Sequence, residues 1–228
     1  MQCVILAAGK GTRMRPLTDN CPKPLILVCD KPILQHIVEA LPEEIDEIII
    51  VVSYLEEQIR AYCGEDFCGR KVMYVHQNNP AGGTGSALLC ARELLTDKFM
   101  VLNGDDIHGA KALRAAVEEE HAILAVYSKT PELFGVLEKN EDGTLKAIIE
   151  KPRHPTSNLV NTGGFVTDVS LFEHNVAVSV SGEVYVTDML TRSAGLYSIK
   201  IIEQDFWLPI GYPEDIAIAE AVLCPKEN

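Results

Sequence analysis

The sequence of 228 residues has no apolar run approaching the length of a membrane span, which excludes a helical membrane protein. It has no basic excess. The formal net charge is −13, whereas nucleic acid and anionic membrane surfaces need a basic footprint, so both are excluded as partners. The seven cysteines, at 3, 21, 29, 63, 68, 90 and 224, are odd in number and include no Cys-x-x-Cys pair. The expectation is reduced thiols, several of them buried, in a reducing cytosol. No basic segment followed by a longer apolar one opens the chain, so no signal peptide is expected and the protein is read as cytoplasmic. Two familiar phosphate-loop fingerprints are missing as well. Met14 stands where Gly-x-Gly-x-x-Gly needs its third glycine, and no Gly-Lys-Ser/Thr closes a Walker loop.

What is present is an ordinary globular composition, 47% hydrophobic and 23% charged, in a chain long enough for one domain with a full core. Cys3 to Leu6 reads as a buried strand, and a loop with glycines at 9 and 11 leaves its end. Glycine permits positive φ and exposes backbone N–H groups, as phosphate-holding loops require. Lys10, Arg13, Arg15 and Lys23 add positive charge, so the loop suits an anion such as a nucleotide polyphosphate. A plain turn with solvated basic side chains is the competing reading.

Helix and strand then alternate. A helix is expected over 33–41, a strand over 47–52, a helix over 55–63 ending at Gly64, a strand over 71–75, a helix over 86–95 and a strand over 99–102. That order implies a mainly parallel sheet flanked by helices, with ligands beyond the carboxyl ends of the strands. Three segments should meet there: 7–13, 77–85 and 103–106. In the second, Gln77 offers a donor and an acceptor to a base edge, and Gly82, Gly83 and Gly85 allow close approach by a flat ligand. In the third, Asn103-Gly104-Asp105-Asp106, carboxylates just past a buried strand suit a hard cation such as Mg²⁺; a helix N-cap by Asp106 is the bland alternative.

The second half changes texture. Strands over 122–126 and 134–137, a turn at 140–143 and a strand ending at Glu150 suggest an antiparallel portion. Residues 153–158 read as a surface loop, and Asn161-Thr162-Gly163-Gly164 lies in a strand-like stretch. A helix capped by Thr187 follows, and the last helix spans 213–223.

The string Leu6-Ala7-Ala8-Gly9-Lys10-Gly11-Thr12-Arg13 with Pro16-Leu17-Thr18 and Lys23-Pro24 resembles the signature of the sugar-1-phosphate nucleotidylyltransferases. The likeness runs from residue 3 to about 223. It implies a Rossmann-like three-layer α/β/α fold of the nucleotide-diphospho-sugar transferase kind. The sheet would be mixed and mostly parallel, with a small antiparallel acceptor-side portion. The single domain 1–228 would have a donor half of about 1–110 and a sugar-phosphate half of about 111–228. The implied activity transfers a nucleotidyl group from an NTP to a sugar 1-phosphate. Leu6, Ala7, Ala8, Gly9, Gly11, Thr12 and Gly104 would cradle the nucleotide, with Gln77, Gly83 and Thr84 at the base. Arg13 and Lys23 would contact the triphosphate and Lys151 the attacking phosphate. Gly135, Glu150 and Asn161 would meet the sugar, and Asp105 would ligate Mg²⁺. The Gly-Thr-Gly and Asn-Thr-Gly forms lean toward UTP over dTTP and toward an N-acetylhexosamine. Oligomeric state is left open.

One departure stands out. The family shows Trp-x-Asp where this chain has Trp207-Leu208-Pro209, so Pro209 occupies the place of the second metal ligand. Asp205 lies about 13 Å away at strand rise, too far to substitute. The alternative reading is therefore a catalytically weak or inactive homologue that binds a nucleotide sugar and regulates.

Overall fold

The structure, a computed structural model, describes residues 1–173 and 182–225. In chain order the strands and helices are β1 (Gln2–Leu6), β2 (Leu27–Val28), β3 (Lys31–Pro32), α1 (Ile33–Glu39), β4 (Glu47–Val52), α2 (Glu56–Cys63), β5 (Asp66–Phe67), β6 (Arg70–His76), α3 (Gly83–Cys90), β7 (Phe99–Asn103), β8 (Asp106–His108) and α4 (Ala110–Val117). They continue with β9 (Ala122–Tyr127), β10 (Gly135–Lys139), β11 (Leu145–Glu150), β12 (Leu159–Thr167), α5 (Val186–Ser193), β13 (Lys200–Glu203), β14 (Trp207–Pro209) and α6 (Pro213–Leu223).

The central sheet runs β11-β10-β12-β7-β1-β4-β6-β5, with β9 and β13 joined through β12. Strand β1 lies parallel between β4 and β7, with Leu6 opposite Val51 on one side and Asn103 on the other. Successive side chains of a strand point to opposite faces. Ile48, Ile50 and Val52 accordingly pack with Ile33, Leu34 and Leu113 of α1 and α4, while Ile49 and Val51 pack with Leu88 and Leu190 of α3 and α5. Both faces are covered, which is why these strands read as continuous apolar runs, and the fold is a Rossmann-like three-layer α/β/α sandwich.

The antiparallel portion is a hairpin, β10–β11, that places Gly135 opposite Glu150. Strand β12 pairs along one side with β9; on its other side it meets β10 at Val160 and β7 from Phe165 to Thr167. Its ladder is irregular between Asn161 and Phe165, and there the sheet opens.

Several local expectations are corrected. Lys23–Leu25 is a 3-10 turn ahead of β2, because Pro24 fits a helical first turn. Helix α3 begins at Gly83 rather than at residue 86 and ends at Cys90, a 3-10 turn covering Arg92–Leu94. Gly83 and Gly85 are thus first-turn residues; an added Cβ would lie 2.5 Å and 2.9 Å respectively from the Val184 carbonyl oxygen, so their smallness admits this chain's own backbone. Asp106 caps no helix and belongs to β8. Thr187 lies inside α5, whose first N–H, on Val186, donates instead to Thr84 Oγ1 at 3.2 Å. The cysteines are not all thiols: Cys29 and Cys224 form a disulfide, and the other five are free.

Candidate active site

The carboxyl ends of β1 and β7 build the first cavity. Gly104 N donates to Leu6 O at 2.9 Å, and an added Cβ at 104 would lie at that same distance from the oxygen, so only glycine lets the two strand ends approach. The cavity, of about 370 Å³, is lined by every donor-side residue expected from the sequence: Leu6, Ala7, Ala8, Gly9, Gly11, Thr12, Arg13, Lys23, Gln77, Gly83, Thr84, Gly104 and Asp105. Gln77 is buried and its Nε2 reaches Gly83 O at 3.4 Å, so the amide is held toward the start of α3.

Lys23 is buried, and its Nζ donates to Asp105 Oδ2 at 2.5 Å. Gly11, at φ +60°, makes room for it: an added Cβ would stand 3.1 Å from Lys23 Cβ. Arg13 is exposed at the mouth with its guanidinium 5.2 Å from the centre of the Tyr212 ring. Arg15 pairs with Asp19 on the surface and does not line the cavity. Asp215 Oδ2 accepts from the N–H groups of Gly211 and Tyr212, both at 2.7 Å, which caps α6 and sets Gly211 into the cavity wall.

Pro209 does stand beside the carboxylates. It lies opposite Asp106 in the β14–β8 ribbon, and Ile210 N donates to Asp105 O at 3.0 Å. It brings no side-chain donor. Among the described residues there is no group of three or more His, Cys, Asp or Glu arranged to hold a metal. Asp106 is buried; Asn103 Nδ2 donates to its Oδ2 at 2.9 Å and Trp207 Nε1 to its Oδ1 at 3.2 Å. Burial and then the neighbouring Asp105 charge push its pKa up to about 8, against the pull of Asn103, Lys23 and Trp207. His108, next along β8, is buried with Nδ1 3.3 Å from Gln204 Oε1 and Nε2 without a partner; burial holds it down to about 4.

The opening in β12 forms a second cavity of about 200 Å³ that shares Leu6, Thr84 and Asn103 with the first. Glu150 and Asn161 line it. Gly135 lies behind them, where an added Cβ would be 3.0 Å from Glu150 Oε2. The Glu150 carboxyl is raised above its usual range by the surrounding protein and by Asp188, with Lys151 opposing. Lys151 itself is exposed at φ +42° and lines neither cavity, so the structure does not bring it in with the others. Asn103, Gly163 and Tyr185 line the second cavity without having been assigned roles from sequence; Asn103 was within reach, since it opens the Asn-Gly-Asp-Asp string.

Residues 2–224 match the family model described as nucleotidyl transferase. The chain is 36% identical over 231 residues to the bifunctional protein GlmU of Methanocaldococcus jannaschii, covering 100% of this chain and 55% of that protein. It is likewise 36% identical over 234 residues to the UTP–glucose-1-phosphate uridylyltransferase AglF of Haloferax volcanii, covering 96% of this chain and 95% of that one. The chain thus spans about half the length of the GlmU relatives it matches. Among solved structures, one assigned as a glucose-1-phosphate thymidylyltransferase from Bacillus anthracis, in complex with a sucrose, superposes with a TM-score of 0.88 at 26% identity, covering 100% of this chain and 96% of that one. A UDP-glucose pyrophosphorylase complexed with UDP-glucose reaches 0.84 at 22% identity and covers 97% of each, a likeness of fold alone.

Proposed function

The chain belongs to the nucleotidyl transferase family, and on that premise we propose that it transfers a nucleotidyl group from an NTP to a sugar 1-phosphate, releasing pyrophosphate. The observation that carries this reading is the pair of adjoining cavities sharing Leu6, Thr84 and Asn103, the first lined by the glycine-rich loop with Arg13 and Lys23 and the second by Glu150 and Asn161. A sugar-phosphate oxygen attacking the α-phosphorus in line from the second cavity drives pyrophosphate out through the first. No covalent side-chain intermediate is needed; two anions must be held together and their charge offset.

Lys23 and Arg13 supply positive charge to the triphosphate. Gln77 and Thr84 face the base, Gly135, Glu150 and Asn161 the sugar, and Lys151 swings its long side chain from the rim to the attacking phosphate. Asp105, an oxygen donor on the cavity wall, fits a Mg²⁺ ion that takes one carboxylate plus phosphates and water. Bound there, Mg²⁺ would neutralise triphosphate charge. UTP or dTTP with a hexose or N-acetylhexosamine 1-phosphate is the pairing we favour, in the cytoplasm, where nucleoside triphosphates are supplied.

Pyrophosphate release measured with Mg²⁺ over a panel of NTPs and sugar 1-phosphates tests this, with the highest rate expected for such a pair. Pro209 favours a second reading, a regulatory homologue that binds nucleotide sugar, since one carboxylate makes a weaker metal site. Release with no pair, alongside measurable nucleotide-sugar binding, selects that reading.

A further inference from the structure

Asn103 is the one amide among the three residues that both cavities share. Its Nδ2 donates to the buried Asp106, whose other oxygen accepts from Trp207 Nε1. Trp207 in turn packs edge-on against Phe134, with ring centres 5.3 Å apart, immediately before Gly135. In its ionised form Asp106 offers acceptors only, and both of its oxygens are engaged by N–H donors, so the Asn103 amide is turned with its NH₂ inward. Its Oδ1 carries no protein partner among the described residues and remains an acceptor.

Nor has the amide room to swing toward β12. Gly163, at φ +79°, curves around it so closely that an added Cβ would lie 2.0 Å from Asn103 Nδ2 and 2.9 Å from Asp106 Oδ2. Asn161 is oriented too: its Oδ1 accepts from Gly163 N at 3.0 Å, which leaves its amino group as a donor. The second cavity therefore presents both a fixed acceptor and a fixed donor.

We propose that Asn103 is a specificity-determining residue whose Oδ1 accepts a hydrogen bond from one hydroxyl of the sugar 1-phosphate, with Asp106 and Trp207 as the residues that position it. The proposal rests on the nucleotidyl-transfer reading. An acceptor held in this way rejects a sugar lacking that hydroxyl, because its lone pairs would be left unpaired. Asp106→Asn carries the argument further. The new amide sets its own NH₂ against either Asn103 Nδ2 or Trp207 Nε1; relieving the first clash rotates Asn103 and presents a donor to the sugar where the wild type presents an acceptor.

The test compares kcat/KM for a hexose 1-phosphate and its monodeoxy and deoxyfluoro analogues at each position, fluorine being unable to donate, in wild type, Asn103→Leu, Asp106→Asn and Trp207→Phe. In the wild type both analogues at one position should lose about tenfold or more, the scale of one unpaired polar group. Asn103→Leu should erase that discrimination and leave the other positions as they were. Asp106→Asn should raise KM for the parent sugar 1-phosphate with KM for the NTP unchanged, and Trp207→Phe should do the same more weakly. Discrimination that survives intact in Asn103→Leu overturns the proposal. Thermal midpoints monitor folding, and should Asp106→Asn not fold, Asn103→Leu decides. If the wild type turns over no pair, the nucleotidyl-transfer reading has failed, and calorimetric binding of the same sugar 1-phosphates still decides the role of Asn103.

Discussion

Lys23 Nζ and Asp105 Oδ2 are 2.5 Å apart although 82 residues separate them in the chain, and both line the donor cavity. The pair stores a cation beside a metal-suited carboxylate. Lys23→Ala should lower turnover by about 10²-fold or more, the scale of removing one transition-state donor. Steady-state pyrophosphate release checks this, and wild-type-like kinetics would remove Lys23 from the mechanism.

Asp105→Asn keeps the shape and removes the charge. With Pro209 opposite Asp106 there is no second carboxylate beside it from β14 to compensate. The Mg²⁺ concentration giving half-maximal rate should rise at least about tenfold, as expected for losing the one hard anionic ligand. A Mg²⁺ titration of the rate is the measurement, and an unchanged midpoint counts against Asp105 as a ligand.

Gly83→Ala should destabilise the fold by about 2 kcal/mol or more, the cost of a non-glycine residue at strongly positive φ. Here φ is +86° and the new Cβ would meet the Val184 carbonyl at 2.5 Å. Urea unfolding measures the loss. A neutral result would mean that the segment before α5 is free to retreat.

His108 makes stability depend on acid. Its folded pKa, about 4, lies below the unfolded value near 6.5, so the unfolded chain takes up the proton first. The contribution is whole above pH 6.5 and is lost as pH falls toward 4; at pH 5 about 2 kcal/mol should be gone. Comparing urea midpoints at pH 7 and pH 5 for wild type and His108→Gln isolates it, and equal slopes would refute the assignment.

Thiol titration in denaturant without reductant should find five reactive cysteines of the seven, and seven after reduction. Cys224→Ser should lower thermal stability and add no more than one free thiol. Seven thiols before reduction would show that the Cys29–Cys224 bridge does not form in the purified protein.

The parallel half of the fold was legible because strands buried on both faces leave unbroken apolar runs, as in Ile48-Ile49-Ile50-Val51-Val52. The glycine-rich loop that lines the first cavity was legible because its glycines and cations are contiguous. What escaped depended on neighbours far along the chain. Gly83 and Gly85 looked like room for a ligand, yet they make room for Val184, 99 residues beyond Gly85. Asp106 looked like a cap because its partner Trp207 is 101 residues away. No Cys-x-x-Cys pairing could announce a bridge between residues separated by 195. Lys151 was placed by its string, but it is exposed and lines neither cavity.

The Cys29–Cys224 bond closes residues 29–224 into a covalent ring. Asp105, Asn103, Glu150, Asn161 and Gly211 all belong to that ring, whereas Arg13, Lys23 and the whole glycine-rich loop lie on the tail that precedes it. The tail enters the molecule as its central strand, zipped between β4 and β7 and pinned at its far end by Lys23 on Asp105. The glycine-rich arm and the body that carries the second cavity are thus separate topological pieces. A cut between Val28 and Cys29 would leave the arm attached by hydrogen bonds, packing and the ion pairs of the Met1 amino group with Asp46 and of Lys23 with Asp105.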